Sequence, residues 1–264
     1  MKNIHTVYCD WDKSKMKILE KFGIKVECGF NKLVLEENET FFQVKAFLET
    51  WKANDYVISK FSEEEENNAT RLILLSPWAN GYPMPDSNFG YKKTTYNDAE
   101  HCKTCGMGLV QKEPFRLKKE PNWSGNKKMF SLNWVYDEFF LQNSFYNEVF
   151  NDKGIKSEIV LLFKKETVIK STIQLTIPIT EVDLDLEGYS YEICKECNRK
   201  KYNLVNEGFF PAFKENVKGL HLFKCKEWFG TGANARRYIF ISKELRQELL
   251  KSKVTASYIP QQDK

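Results

Sequence analysis

Two Cys-x-x-Cys turns constrain this chain more than any other feature. Cys102-Lys103-Thr104-Cys105-Gly106 and Cys194-Lys195-Glu196-Cys197-Asn198 stand 92 residues apart. Each spacing places two thiolates on one tight turn, where both can grip a single ion. Two such turns supply the four sulfurs of a closed tetrahedral zinc site, the usual structural form. Gly106 and Asn198 follow the second Cys of each turn, and both residue types accept the positive φ that a ligand turn needs. The competing use of Cys-x-x-Cys is a redox pair, which opens a helix after a strand. Neither Gly106-Met107-Gly108 nor Asn198-Arg199-Lys200-Lys201 opens such a helix. The expectation is one structural Zn2+ held by Cys102, Cys105, Cys194 and Cys197. His101, beside Cys102, is a bystander or a substitute ligand, and redox or vestigial cysteines are the alternative.

The chain has seven cysteines, no apolar leader in Met1–Asp12 and no stretch long enough to span a bilayer. That combination predicts a cytoplasmic protein without membrane association, in a reducing compartment. Cys9, Cys28 and Cys225 are expected to be buried as small hydrophobes. A hydrophobic content of 42% supports a sizeable core, and a net charge of +4 is too mild to imply nucleic acid by itself. Lys118, Lys119, Lys127, Lys128, Arg199, Lys200 and Lys201 nevertheless keep a zinc-ribbon-type nucleic-acid-binding protein open as an alternative.

Hydrophobic spacing predicts helices over Ser14–Phe22 and Thr40–Trp51 and a strand over Lys25–Leu35. Tyr56–Phe61 and Arg71–Leu75 flank an acidic stretch, Glu63–Glu66, and suggest a hairpin with a charged tip. Ser76–Asp98, rich in Pro, Gly and aromatics, is expected to be an irregular packed linker. It divides an N-terminal α+β region, residues 1–98, from a double-Cys-x-x-Cys region, residues 99–264.

That second region carries a repeated pattern. The apolar positions of Phe139–Phe150 recur 100 residues later in Ile239–Leu250, although only Phe140/Phe240 and Glu148/Glu248 are identical. Each copy predicts a short strand and then a polar cap, Asn143 or Ser144 in one and Ser242 in the other. A helix follows, with Phe145, Val149 and Phe150, or Leu245, Leu249 and Leu250, on its buried face. Gly154 is the expected helix stop. A further strand comes after each helix, Ile155–Phe163 and Val254–Ile259. Thr172–Leu186 alternates as a strand leading into the second cysteine turn. The expected fold is α+β, with mixed or antiparallel sheets and two strand–helix–strand half-units joined at a four-cysteine zinc site.

No His-Glu-x-x-His, phosphate-gripping Gly-rich loop or Gly-x-Ser-x-Gly elbow occurs, and there are three histidines. An enzyme of unrecognised class is a further alternative. The loop Trp228–Arg237 combines glycines with residue types enriched at binding hot spots. It makes Trp228, Arg236 and Arg237 candidate partner-binding residues. The plainer reading is a hairpin loop whose Trp packs down.

On Cys102–Gly106, Cys194–Cys197 and the C-terminal run from Gly219-Leu220-His221-Leu222-Phe223 to Ile239-Phe240-Ile241-Ser242, the chain resembles the double-CXXCG motif proteins of bacteria. That group includes immunity-like proteins paired with contact-dependent toxins. The resemblance covers roughly residues 99–260 and departs at Asn198, where the family motif has Gly. It implies a cytoplasmic protein with no established enzyme activity that binds a protein partner, for some members a cognate toxin.

Overall fold

The computed structural model describes residues 1–76 and 78–263. Pro77, one of the turn-forming residues of the expected linker, and Lys264 lie outside the described residues. The chain divides into a smaller unit, Met1–Glu66 with Val205–Phe209, and a larger one, Asn67–Leu204 with Phe210–Lys264.

In the smaller unit the chain forms β1 (Lys2–Trp11), α1 (Lys13–Glu20), β2 (Gly29–Glu36), α2 (Glu39–Thr50) and β3 (Asn54–Lys60). β1 lies between β2 and β3, antiparallel to both. It buries alternate residues, His5, Val7, Cys9 and Trp11, which places one face of the strand on a core. α1 and α2 cover that face with Leu19, Phe41, Val44 and Leu48. Both helices start where a side chain satisfies free backbone donors. Asp12 accepts from the N–H groups of Ser14 and Lys15, and Asn38 from that of Phe41. Val205–Phe209 joins this unit through hydrogen bonds from Ser59 N–H to Asn206 O at 3.0 Å and from Gly208 N–H to Ser59 Oγ at 2.7 Å.

The expected acidic-tipped hairpin does not form. β3 pairs with β1, the acidic stretch folds into the short helix α3 (Glu63–Asn68), and β4 (Arg71–Leu75) enters a sheet of the larger unit. The division between units therefore falls at Glu66/Asn67, and the expected boundary at residue 98 lies inside the larger unit. Ser76–Asp98 is also less irregular than expected, since it contains α4 (Tyr91–Thr95) and β5 (Tyr96–Asn97).

β5 pairs with β6 (Val110–Gln111), and the first cysteine turn lies between them. Then come β7 (Arg116–Leu117), β8 (Met129–Leu132), β9 (Val135–Gln142), α5 (Asn143–Val149), β10 (Ser157–Leu162) and β11 (Thr167–Leu175). Their five strands form one sheet in the order β7-β10-β11-β9-β8, antiparallel except for β7 with β10. β12 (Tyr191–Ile193) and β13 (Lys200–Tyr202) flank the second cysteine turn. The chain finishes with β14 (Leu222–Lys224), β15 (Trp228–Phe229), β16 (Ile239–Ser242), α6 (Lys243–Lys251) and β17 (Ser257–Pro260). β15 pairs with β13, and the four-stranded antiparallel sheet runs β14-β16-β4-β17. The architecture is α+β with antiparallel and mixed sheets.

Both repeated segments are strand–helix–strand, and both feed one core, through Phe145, Val149 and Phe150 in one and Leu245 and Leu249 in the other. Full burial of such side chains contributes about 1.5–3 kcal/mol each. Ser242 caps α6 as expected, accepting from Leu245 N–H at 3.2 Å. The other cap does not exist: Gln142 precedes α5 with no side-chain cap, and Asn143 donates to Lys170 O at 3.2 Å instead. Leu250 is 42% exposed. α6 continues past it, so at about 100° per residue it points about 140° away from Leu245. Phe150 lies just beyond α5 and turns inward, before Gly154 at φ +67° ends the helical run. The strand expected over Thr172–Leu186 ends at Leu175; Pro178, without an N–H, cannot continue the ladder.

Candidate metal centre

The two cysteine turns are built alike. Gly106 N–H donates to Cys102 O at 2.8 Å and Asn198 N–H to Cys194 O at 2.9 Å. Cys102 N–H donates to Met107 O at 2.9 Å and Cys194 N–H to Arg199 O at 3.0 Å. Closing each turn takes a left-handed residue at the same place, Gly106 at φ +78° and Asn198 at φ +56°. Folding brings the turns together. The four sulfurs all lie within 4.8 Å of one another, with Cys102 to Cys194 and Cys105 to Cys197 each at 3.6 Å. Disulfide sulfurs would stand about 2.0 Å apart, and all four cysteines are free. A tetrahedron with metal–sulfur bonds of about 2.3 Å has edges of about 3.8 Å, so the donor set fits one four-coordinate ion. Four thiolates would fill such a shell. His101 is not part of the cluster.

The surroundings hold the turns in register. Arg199 donates from Nε to Cys197 Sγ at 3.4 Å and from Nη2 to Glu100 O at 2.5 Å and Met107 O at 3.4 Å, so a residue of the second turn grips the backbone of the first. Lys201 is fully buried. Its ammonium donates to Cys105 O at 3.1 Å and to Gly232 O, and pairs with Glu192 at 2.9 Å. The hydrogen bond from Arg199 holds the Cys197 thiol down to about 6, while burial pushes the Cys105 thiol up to about 12. A bound divalent cation would override that inequality by stabilising every thiolate directly.

The loop from Trp228 to Arg237 closes over this site. Phe229 and Arg236 exchange two backbone hydrogen bonds of 2.9 Å, and Trp228 and Ala235 pack on the cysteine cluster. A Cβ on Gly106 would stand 2.2 Å from Ala233 O. The Arg237 guanidinium lies 3.7 Å over the Trp228 ring, and that of Arg236 lies 5.3 Å over Tyr136. All three candidate contact residues are half-buried.

Sequence reasoning assigned Arg199 and Lys201 to a surface basic cluster and so missed them as supports of the centre. Their offsets of two and four residues past Cys197 were the available signal. Of the remaining cysteines, Cys9 and Cys225 are buried as expected, whereas Cys28 is exposed. It sits just before β2, outside the packed face of the smaller unit's sheet. A second group also escaped the sequence: Glu138 pairs with Lys224, and Gln174 donates to Glu138 at 3.1 Å while sharing two amide hydrogen bonds with Gln111. No helix among the described residues is long and apolar enough to cross a membrane. No family model, curated protein or solved structure matches the chain.

Proposed function

We propose that this protein is a non-catalytic zinc protein that acts by occupying the surface of a protein partner, and that the partner is a toxin it neutralises. The observation that carries the reading is the four-cysteine cluster. A thiolate shell filled from four sides leaves no position for a reactive water, which is the arrangement of structural rather than catalytic zinc. The toxin follows from the resemblance to double-CXXCG motif proteins. On this reading the ion joins two half-units, each a cysteine hairpin followed by a strand–helix–strand segment.

The nucleic-acid alternative loses part of its support, because Lys201 is buried and Arg199 is engaged at the metal turns. Elemental analysis of protein purified without chelator should give one zinc per chain; iron or no metal would sink the zinc assignment. Co-expression with the toxin encoded by a neighbouring gene should restore growth. Continued killing in the presence of folded, zinc-loaded protein would reject neutralisation.

A further inference from the structure

A bulky residue in the left-handed region is uncommon, because its Cβ crowds the adjoining carbonyl oxygen, and Gly or Asn takes such places at small cost. The larger unit holds two aromatic residues there, both in the open. Trp134, at the tip of the β8–β9 hairpin, has φ +69°, and Phe89 has φ +54°. Trp134 lies with one face toward buried Tyr91, the ring centroids 6.1 Å apart and 17° from parallel, yet stays 36% exposed, and Phe89 is 50% exposed. Their rings meet at a centroid distance of 4.5 Å, and Tyr82, 44% exposed, meets Trp134 at 4.3 Å. The loops beneath are tied to each other, by Asn133 N–H to Gly81 O and Asn80 N–H to Ser131 O, both at 2.9 Å. Strain of this kind persists where the surrounding structure enforces it, and it concentrates at functional positions.

The surroundings define what such a surface fits. Rigid exposed aromatics are the side chains that dominate protein-partner binding energy. The charge beside them is positive. Lys92 Nζ lies 5.5 Å over the Phe89 ring. Tyr82, Lys118 and Lys119 line a neighbouring cavity of about 320 Å³ whose lining holds one acid, Asp86. Tyr82 and Phe89 are tilted by 51° and 49° to Trp134, so neither forms a parallel slot with it. A protruding apolar side chain can sit on that surface without entering it.

We infer that the Tyr82–Phe89–Trp134 cluster is the surface on which this protein seats its protein partner, and that the partner presents an apolar side chain ringed by carboxylates. This rests on the partner-binding reading above and gives it a location. The zinc-loaded full-length chain, panned against a random dodecapeptide phage library, should enrich peptides with an apolar residue flanked by Asp or Glu. Binding of the synthetic consensus peptide should weaken at least about tenfold in Phe89→Ala and in the Lys118→Glu/Lys119→Glu double variant. Trp134→Gly is the decisive variant. It relieves the backbone but gives up the packing on Tyr91, so the variant should keep the circular dichroism and zinc content of the folded parent while peptide binding is lost, whereas Tyr82→Ala, which leaves that packing in place, should weaken binding at unchanged Tm.

Failure to enrich acidic–apolar peptides, or equal binding by Trp134→Gly, overturns the proposal. So does an oligothymidylate that displaces the peptide and itself depends on Trp134, since that assigns the patch to single-stranded nucleic acid. If the parent neutralises the neighbouring toxin and Trp134→Gly does so equally, the surface is wrong and the function stands. If the parent never neutralises it, the toxin reading fails while the peptide result still decides the surface.

Discussion

At the first cysteine turn, the left-handed residue after Cys105 is pressed against another stretch of chain; at the second, the equivalent residue after Cys197 faces water. Gly106 lies so close to Ala233 that no side chain fits between them, whereas Asn198 is exposed. The hydrogen bonds within the two turns are otherwise the same. A thiolate turn thus demands a residue that accepts positive φ, which Asn also does, while glycine itself is demanded by the loop packed on the first turn. Asn at position 198 is therefore compatible with the same turn geometry as Gly106, because no neighbouring segment crowds its side chain.

The largest effect expected is loss of the ion. Structural zinc contributes binding free energy of about 10 kcal/mol or more to folding. Cys102→Ser and Cys194→Ser should therefore lower Tm to the level of chelator-treated protein, and by similar amounts, while exposed Cys28→Ser leaves it unchanged. Unequal losses at Cys102 and Cys194, read by thermal denaturation with zinc analysis, would break the equivalence of the turns.

Next comes Gly106→Ala, expected to cost about 2–4 kcal/mol in urea unfolding through strain and displacement of the Ala233 segment. A cost below about 1 kcal/mol would show that the loop yields easily and that glycine there is incidental. Lys201→Met should cost about 1–3 kcal/mol, because it leaves the Cys105 and Gly232 carbonyls without their donor. It should also speed proteolysis within residues 228–237; unchanged cleavage would mean the loop is held by packing alone. The smallest change is Asn198→Gly. Removing a side chain from a left-handed position in open solvent should alter stability by less than about 1 kcal/mol, in the stabilising direction if the strain at Asn198 outweighs the added freedom of glycine. A large loss would show that the Asn198 side chain serves the site.

The four cysteines of the cluster were legible because Cys-x-x-Cys is a local device, complete within five residues. The strand–helix–strand segments were legible because periodicity is local too. What sequence hid was set by partners far along the chain. β1 escaped because two of its four buried positions are His5 and Cys9, which do not read as an apolar stripe; His5 is buried by stacking on Phe41 at 3.7 Å and bonding Asp55 at 2.7 Å. With β1 unseen, β3 was matched to the nearest strand in sequence, β4, whose real neighbours are β16 and β17. Arg199 and Lys201 read as solvated charges because only the tertiary fold supplies the carbonyls and sulfur that engage them. Leu250 was placed inside because the apolar pattern does not reveal that α6 outlasts α5.

The distance of 92 residues between the two halves of the candidate metal site also has a consequence in time. A ribosome adding about 5–20 residues per second takes roughly 5–20 s to travel from the first cysteine pair to the second. Throughout that interval the nascent chain carries Cys102 and Cys105 as a half-shell, able to hold an ion only with help from water or another molecule. Two thiols buried in the finished protein thus begin exposed, and oxidants should reach them mainly while the chain is being made. A thiol-reactive label pulsed during synthesis should mark Cys102 and Cys105, and the same label added to finished, metal-loaded protein should spare them.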